Sequence, residues 1–209
     1  MKISKTEQEE RKLKVINAAY KLFCYKGIDK VNIDSLAKAS GVSHASISRY
    51  FKNKAELLFY TQQILWQDIV QKLHCHNQSL IKAEITGLAR FNILLHDFEM
   101  MYQDYPEYVL FTFEYKMHLL KNGIKLNNNE RDRMLGSVKN YFSNVIILGQ
   151  LDGTITTKYS VDEIFNMSWR VMRCVVEQIV LYDKIYEQDN PWQGAFNMAI
   201  NKIILEIKA

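Results

Sequence analysis

Between Ser43 and Lys54 the chain gathers hydroxyl, imidazole, guanidinium and ammonium groups and no carboxylate. The chemistry this set supports is recognition by hydrogen bonding. His44, Ser46, Ser48 and Arg49, with the small Ala45 among them, combine donors with little bulk. A helix entering a major groove needs that combination to bring its backbone near the base edges. Arg49 suits the paired acceptors of guanine and equally suits a phosphate, and both roles stand open from the residues alone. A plainly solvated helix face would carry the same residues.

A second grouping, His74-Cys75-His76, has the residue types of a metal site. Adjacent helical positions point about 100° apart, so the three side chains do not converge on one ion, and no metal is expected. The chain contains no phosphate loop and no nucleophile with a nearby base, so neither enzymatic activity nor a cofactor is expected.

The candidate donors need a scaffold, and the stretch from Asn32 to Glu56 reads as one. Asn32 caps a short helix with Asp34 in its opening turn, and Ile33, Leu36 and Ala37 form its apolar face. Gly41 stands where that helix must stop, at a position that favours the left-handed backbone. Ser43 caps a second helix, in which Ile47, Tyr50 and Phe51 face inward. Asn53 caps a third, with Glu56 at the reciprocal capping-box position. This is the sequence form of a helix-turn-helix, and the donors of its second helix lie outward.

The residues in this region form a specific pattern. Gly41-Val42-Ser43, Ile47, Tyr50-Phe51-Lys52-Asn53-Lys54 and Glu56-Leu57-Leu58 follow Ala18-Ala19, Leu22-Phe23, Gly27 and Leu36-Ala37. Together they resemble the DNA-binding domain of TetR/AcrR-type transcriptional regulators. The resemblance covers roughly the first quarter of the chain. Many members carry an aromatic residue where this chain has Ser48 and a basic one where it has His44. The resemblance implies phosphate contacts by Ser43, Tyr50 and Lys54, and a dimer formed by the last two helices as a four-helix interface. It also implies a small-molecule pocket in the body whose occupation tilts the helix after the head. Repression, as opposed to activation, is implied by the resemblance alone.

The chain has 209 residues, 48% of them hydrophobic and 24% charged, enough for a sizeable core. Residues 1–54 hold 12 basic and 5 acidic side chains, and residues 55–209 hold 15 and 18. A basic head on a slightly acidic body suits a head that meets phosphate. No apolar run approaches a membrane span and the N-terminus is polar, so a soluble, cytoplasmic protein with no membrane partner is expected. Three widely spaced cysteines, Cys24, Cys75 and Cys174, are expected reduced.

Only two prolines and eight glycines interrupt the chain, so long helices are expected. Thr6 with Glu9 reads as a capping box opening the first helix, whose Ile16, Ala19, Tyr20 and Phe23 stripe ends near Gly27. A linking helix leaves the head at Lys54. Further helices span about 80–103, start at Pro106, run from Asn127 to about Gly149, open at Ser160 with Glu163, and open again at Asn190-Pro191. The expectation is an all-α fold of about nine helices. Residues 1–53 form a three-helix DNA-binding domain, and 54–209 form a helical regulatory and dimerisation domain, with 54–75 as the link.

The last two helices are apolar over more than one face, which calls for burial on two sides. The second side is assigned to a homodimer partner, with Val175, Ile179, Trp192, Phe196, Ile200 and Ile203 as candidate interface residues. Two reading helices related by a two-fold axis would meet a palindromic duplex with half-sites roughly 34–36 Å apart. The body is rich in Phe, Tyr and Met, which suit an apolar or aromatic effector as well as they suit a core. Met101, Phe113, Met117, Phe142, Trp169 and Met172 are the candidate lining. Glu99, Glu114 and His118 lie on helices that could face a cavity, where a buried carboxylate would favour a cationic ligand. A protein of the same fold without a small-molecule inducer, acting structurally or through a protein partner, is the alternative reading.

Overall fold

The structure is a computed structural model that describes residues 4–80, 85–126, 128–187 and 189–209. Among these residues the chain forms helices and no strand, with one isolated bridge between Ile155 and Lys208. The helices are α1 (Lys5–Lys26), α2 (Ile33–Ser40), α3 (His44–Tyr50), α4 (Lys54–Leu80), α5 (Gly87–Gln103), α6 (Pro106–Lys121), α7 (Asn128–Leu151), α8 (Val161–Ile185) and α9 (Trp192–Ile207). No helix among the described residues is long and apolar enough to cross a membrane. The chain packs as two compact units, one of residues 1–67 with 111–127, the other of residues 68–110 with 128–209.

The first unit contains α1 to α3, the start of α4 and the C-terminal part of α6. The N-cap of α1 is Ser4, which accepts the Glu7 N–H at 3.1 Å, not the expected Thr6. Both residues carry a capping hydroxyl. The helix simply begins two residues earlier than the Thr6–Glu9 spacing suggests. Gly27 ends α1 with φ 79°, and Gly41 ends α2 in the left-handed region at φ 68°, where a side chain is disfavoured. Asn32 accepts the Ser35 N–H at 2.9 Å, and the Ser35 hydroxyl accepts the Asn32 N–H at 3.2 Å, so this capping box uses Ser. Ser43 caps α3, and Asn53 accepts the Glu56 N–H at 2.8 Å at the start of α4. Val15, Ala19, Phe23, Leu36, Ile47, Phe51 and Leu58 are buried between these helices.

Residues from α6 complete that core. Phe111 stacks on Phe23 at a centroid distance of 5.9 Å and meets Tyr20 edge-on at 5.7 Å. Glu114 accepts the Ile28 N–H at 3.2 Å, and His118 Nδ1 lies 3.1 Å from Asp29 Oδ1. Both contacts fall on the loop between α1 and α2.

In the second unit, α5 packs on α7, α8 and α9, and α8 packs on α7 and α9. Its centre is aromatic. The Phe142 ring makes edge contacts with Phe91, Phe98, Phe165 and Trp169 at 5.8, 6.4, 5.8 and 6.3 Å. Ser160 and Glu163 form the expected capping box of α8. At the N-terminus of α5, the Asp152 carboxylate accepts the Gly87 N–H at 2.6 Å, and the Thr154 hydroxyl accepts the Leu88 N–H at 3.1 Å. Gly87 and Gly149 allow this approach, since a Cβ on Gly87 would sit 2.2 Å from the Gly149 Cα. The C-terminus closes onto the same turn, with the Thr156 N–H donating to Ile207 O at 2.7 Å.

Candidate nucleic-acid interface

The acid-free face of α3 turns outward. Ser43, His44, Ala45, Ser48 and Arg49 are exposed, Ser46 is half-buried, and Ile47 and Tyr50 point into the core. Local chemistry fixes this division: Ile47, Tyr50 and Phe51 recur at helical spacing and bury together, so the residues between them face water. The Ser43 hydroxyl donates to the Ser46 hydroxyl at 3.1 Å and also accepts the Ser46 N–H, which holds both small donors at the helix start. Arg49 has no ion-pair partner among the described residues, and its guanidinium carbon lies 5.6 Å from the centre of the Tyr50 ring.

Two members of the expected phosphate set are placed differently. Tyr50 is only 7% exposed, and its hydroxyl is buried without a hydrogen-bond partner among the described residues. An outward phosphate does not reach that oxygen in this arrangement. The aromatic ring has gone to the core, and the hydroxyl has followed it. Lys54 is half-buried, and its ammonium donates to Val31 O at 3.0 Å and Asp29 O at 3.3 Å. Burial lowers its pKa from the ordinary lysine value, with the Asp29 carboxylate acting against that shift. Lys54 therefore ties the α1–α2 loop to the start of α4, and of its three donors two face protein carbonyls.

The structure also shows a partner that the sequence reading missed. His44 Nε2 lies 3.1 Å from Asp34 Oδ1, across the turn between α2 and α3. The two lie ten positions apart, and no local periodicity joins them. Only the helix-turn-helix geometry brings them together.

The candidate effector residues divide between the units. Phe113 and Met117 are half-buried in the first. Met101, Phe142, Trp169 and Met172 are buried in the second, where Phe142 and Trp169 belong to the packed aromatic cluster. Of the three polar candidates, Glu99 accepts Gln103 Nε2–H at 2.9 Å, while Glu114 and His118 serve the α1–α2 loop. Asp97, 8% exposed, is a buried carboxylate of the second unit that the apolar pattern of α5 concealed. The Tyr141 hydroxyl is pushed up by burial and by the Asp97 charge, with Arg90 acting against them.

The candidate interface residues require a correction. Ile179, Phe196, Ile200 and Ile203 are at most 3% exposed in the single chain and offer no area to a partner. They belong to the unit's own core, because α8 is flanked by three helices and α9 covers it. Val175 is half-buried, and Trp192 is 39% exposed. Outward apolar area is supplied instead by Val171, Met198 and Leu205, the last two at 64% and 74% exposure. His74, Cys75 and His76 lie outside the residues whose side chains are described.

Residues 15–61 match the family model described as bacterial regulatory proteins, tetR family. The head of the chain is thus similar to the DNA-binding part of tetR-family regulators. An HTH-type transcriptional regulator of Staphylococcus aureus (strain bovine RF122 / ET3-1) is 32% identical over 54 residues, 26% of this chain. The match spans 29% of that relative's length. Solved structures extend the TetR-type likeness, as a likeness of fold, over nearly the whole chain. A TetR transcription regulator from Haloarcula marismortui superposes with a TM-score of 0.72 at 17% identity, covering 96% of this chain and 100% of that one. The transcriptional regulator FadR from Bacillus subtilis, solved with stearoyl-CoA, gives 0.68 at 18% identity, covering 93% and 98%. A regulator from Saccharomonospora viridis, solved with choline, gives 0.65 at 15%, covering 96% and 99%.

Proposed function

We propose that this TetR-type regulator is a cytoplasmic repressor that binds a palindromic duplex as a homodimer and releases it when a small apolar or aromatic ligand binds in the regulatory part, residues 54–209. The observation that supports the reading most directly is the outward face of α3, where exposed His44, Ala45, Ser48 and Arg49 and half-buried Ser46 stand without a carboxylate of their own. Ser43 and the remaining donor of Lys54 supply backbone contacts. Dimerisation uses the outer faces of α8 and α9, where Val171 and Cys174 on one helix and Met198 and Leu205 on the other fall at helical spacing and remain exposed.

A second reading, DNA binding without a small-molecule inducer, draws on the ring-on-ring packing around Phe142, which fills the centre of the second unit with its own side chains. Capture of genomic duplex fragments by the purified full chain tests both. The first reading expects a few fragments to be enriched and at least one probe of a panel of small apolar and aromatic molecules, a long-chain acyl-CoA and choline to release them. The last two probes follow the ligands held by the two regulators of like fold. Enriched fragments that no apolar, acyl or quaternary-ammonium probe releases favour the second reading, and capture of no fragment contradicts both.

A further inference from the structure

A second feature of the first unit lies apart from the outward face of α3. Lys14, Ala18, Lys21, Leu22 and Tyr25 recur at helical spacing along α1 and line an open groove of about 470 Å3, to which the end of α2 contributes Ala39 and Ser40. Among the described residues no carboxylate lines it. Lys14 and Lys21 are exposed and have no ion-pair partner among the described residues, whereas Arg11 and Lys12 of the same helix are paired with Glu7 and Glu9. Tyr25 is 86% exposed, and its ring stacks on no other among the described residues.

The two lysines stand seven positions apart, which is two helical turns or about 10.5 Å along the axis. The lining near them is small and apolar. Ala18 and Ala39 carry single methyl groups and Leu22 is half-buried, so the floor leaves a hollow that no side chain of the head fills. The Ser40 hydroxyl is already used, donating to Leu36 O at 2.7 Å and accepting the Val42 N–H at 3.3 Å. A duplex backbone would meet the ammonium groups, but it has no apolar group to set against Leu22 and the Tyr25 ring. A small molecule is ordinarily enclosed over most of its surface, which an open groove does not do. An amphipathic helix matches both features. Acidic residues seven apart repeat the pitch of the lysines, and a large apolar residue three or four positions after the first falls on the hollow between them.

We propose that this groove docks an acidic amphipathic helix of a protein partner, with one large apolar side chain over Ala18 and Ala39 and two carboxylates on Lys14 and Lys21. Charge complementarity selects the partner, and burial of the apolar anchor against Leu22 and Tyr25 holds it. The proposal stands apart from the reading of α3 as a DNA-recognition helix, since no residue of α3 lines the groove. It gives part of the basic excess of the head to a protein in place of DNA.

The test titrates the purified chain into labelled helical peptides of about 20 residues, long enough to hold a helix in water. The first peptide carries two Glu seven apart with Leu between them. The second has Lys for both Glu, and the third has Ala for Leu. Fluorescence anisotropy should show the first bound about tenfold more tightly than the second, the worth of two exposed ion pairs turned from attraction to repulsion. It should exceed the third by a similar factor, through the lost apolar anchor. A Lys14→Glu, Lys21→Glu double variant should reverse the order of the first two peptides, which loss of folding cannot imitate. Ala39→Leu, which fills the hollow, should weaken the first peptide yet keep its advantage over the second. Thermal scans establish that each variant is folded. Equal binding of the Glu and Lys peptides, an order unchanged by charge reversal, or binding of none overturns the proposal. A Lys14→Gln, Lys21→Gln variant whose DNA affinity loses about two units of salt slope per bound chain also overturns it, and gives the groove to the duplex backbone. A chain that ranks the peptides as expected but selects no duplex upholds the docking site and removes only the reading of α3.

Discussion

The ammonium of Lys54 donates to the carbonyl oxygen of Val31 at 3.0 Å, across the loop that leads into α2. One side chain at the start of α4 thus holds the entry to the helix-turn-helix. Lys54→Met should lower thermal stability by about 1 kcal/mol, the net worth of a partly exposed hydrogen-bonded charge. It should also shallow the dependence of DNA affinity on salt by about one unit in the logarithmic slope. An unchanged salt slope with lowered stability would make Lys54 a brace alone.

Tyr50 provides the reverse case. Its hydroxyl is buried without a partner among the described residues, so removing that oxygen leaves nothing unsatisfied. Tyr50→Phe should leave stability unchanged or raise it by up to about 1 kcal/mol. DNA affinity and its salt slope should hold. A loss of affinity shared by all sequences would return Tyr50 to the phosphate contacts, through a rearranged head.

The approach of α5 to the turn after α7 leaves no room for a side chain. A Cβ on Gly149 would come 2.4 Å from the Ile155 side chain, and one on Gly87 would meet Gly149 backbone at 2.2 Å. Gly149→Ala should cost about 1–3 kcal/mol and Gly87→Ala more, because backbone cannot step aside as a side-chain tip can. Gly194 in α9 has nothing within 4 Å, so Gly194→Ala should be neutral or stabilising. Urea denaturation of the three variants checks the order.

The same turn carries a pH dependence. The Asp152 carboxyl is held below its ordinary value of 3.8 by the Thr154 hydroxyl first, then by the Gly87 N–H, with burial acting against them. Glu163 is held below 4.5 by its bonds from Ser160. Each binds its proton more weakly folded than unfolded. The stability each contributes is therefore complete above these ordinary values and is lost as pH falls through the lowered ones. Thermal scans of the full chain should show the melting temperature falling on that acid limb, and Asp152→Asn should flatten it. An identical limb in the variant would assign the acid sensitivity elsewhere.

The proposed dimer face makes a prediction of its own. Leu205 and Met198 stand 74% and 64% exposed on α9. A Met198→Glu, Leu205→Glu double variant should sediment as single chains of 24.6 kDa where the wild type sediments as pairs. Its DNA affinity should drop by at least about a hundredfold, since two linked heads gain from effective concentration. Paired double-mutant chains would move the interface away from α9.

The legible parts of this protein are those governed by neighbours along the chain. Asn32, Gly41, Ser43 and Ser160 with Glu163 could be placed because caps act over three or four residues. The outward face of α3 followed from the same spacing. What sequence concealed lies at long range. Phe111 completes the core beside Phe23, Glu114 and His118 serve a loop more than 80 residues away, and Asp34 meets His44 only through the turn. The all-round apolar pattern of α8 was legible, but the reason for it was not. The helix is buried by three neighbours of its own unit, which also accounts for Ile179, Phe196, Ile200 and Ile203.

The most direct measurement is selection of the purified chain on random duplex DNA at moderate salt. The reading of α3 as one half of a two-headed recognition surface predicts a palindromic motif whose half-sites lie roughly 34–36 Å apart, about one helical turn. Arg49→Ala should then relax one position of each half-site or weaken all sequences alike, which decides between its guanine and phosphate roles. Enrichment of no motif by protein that has been unfolded and refolded free of bound ligand would contradict the account.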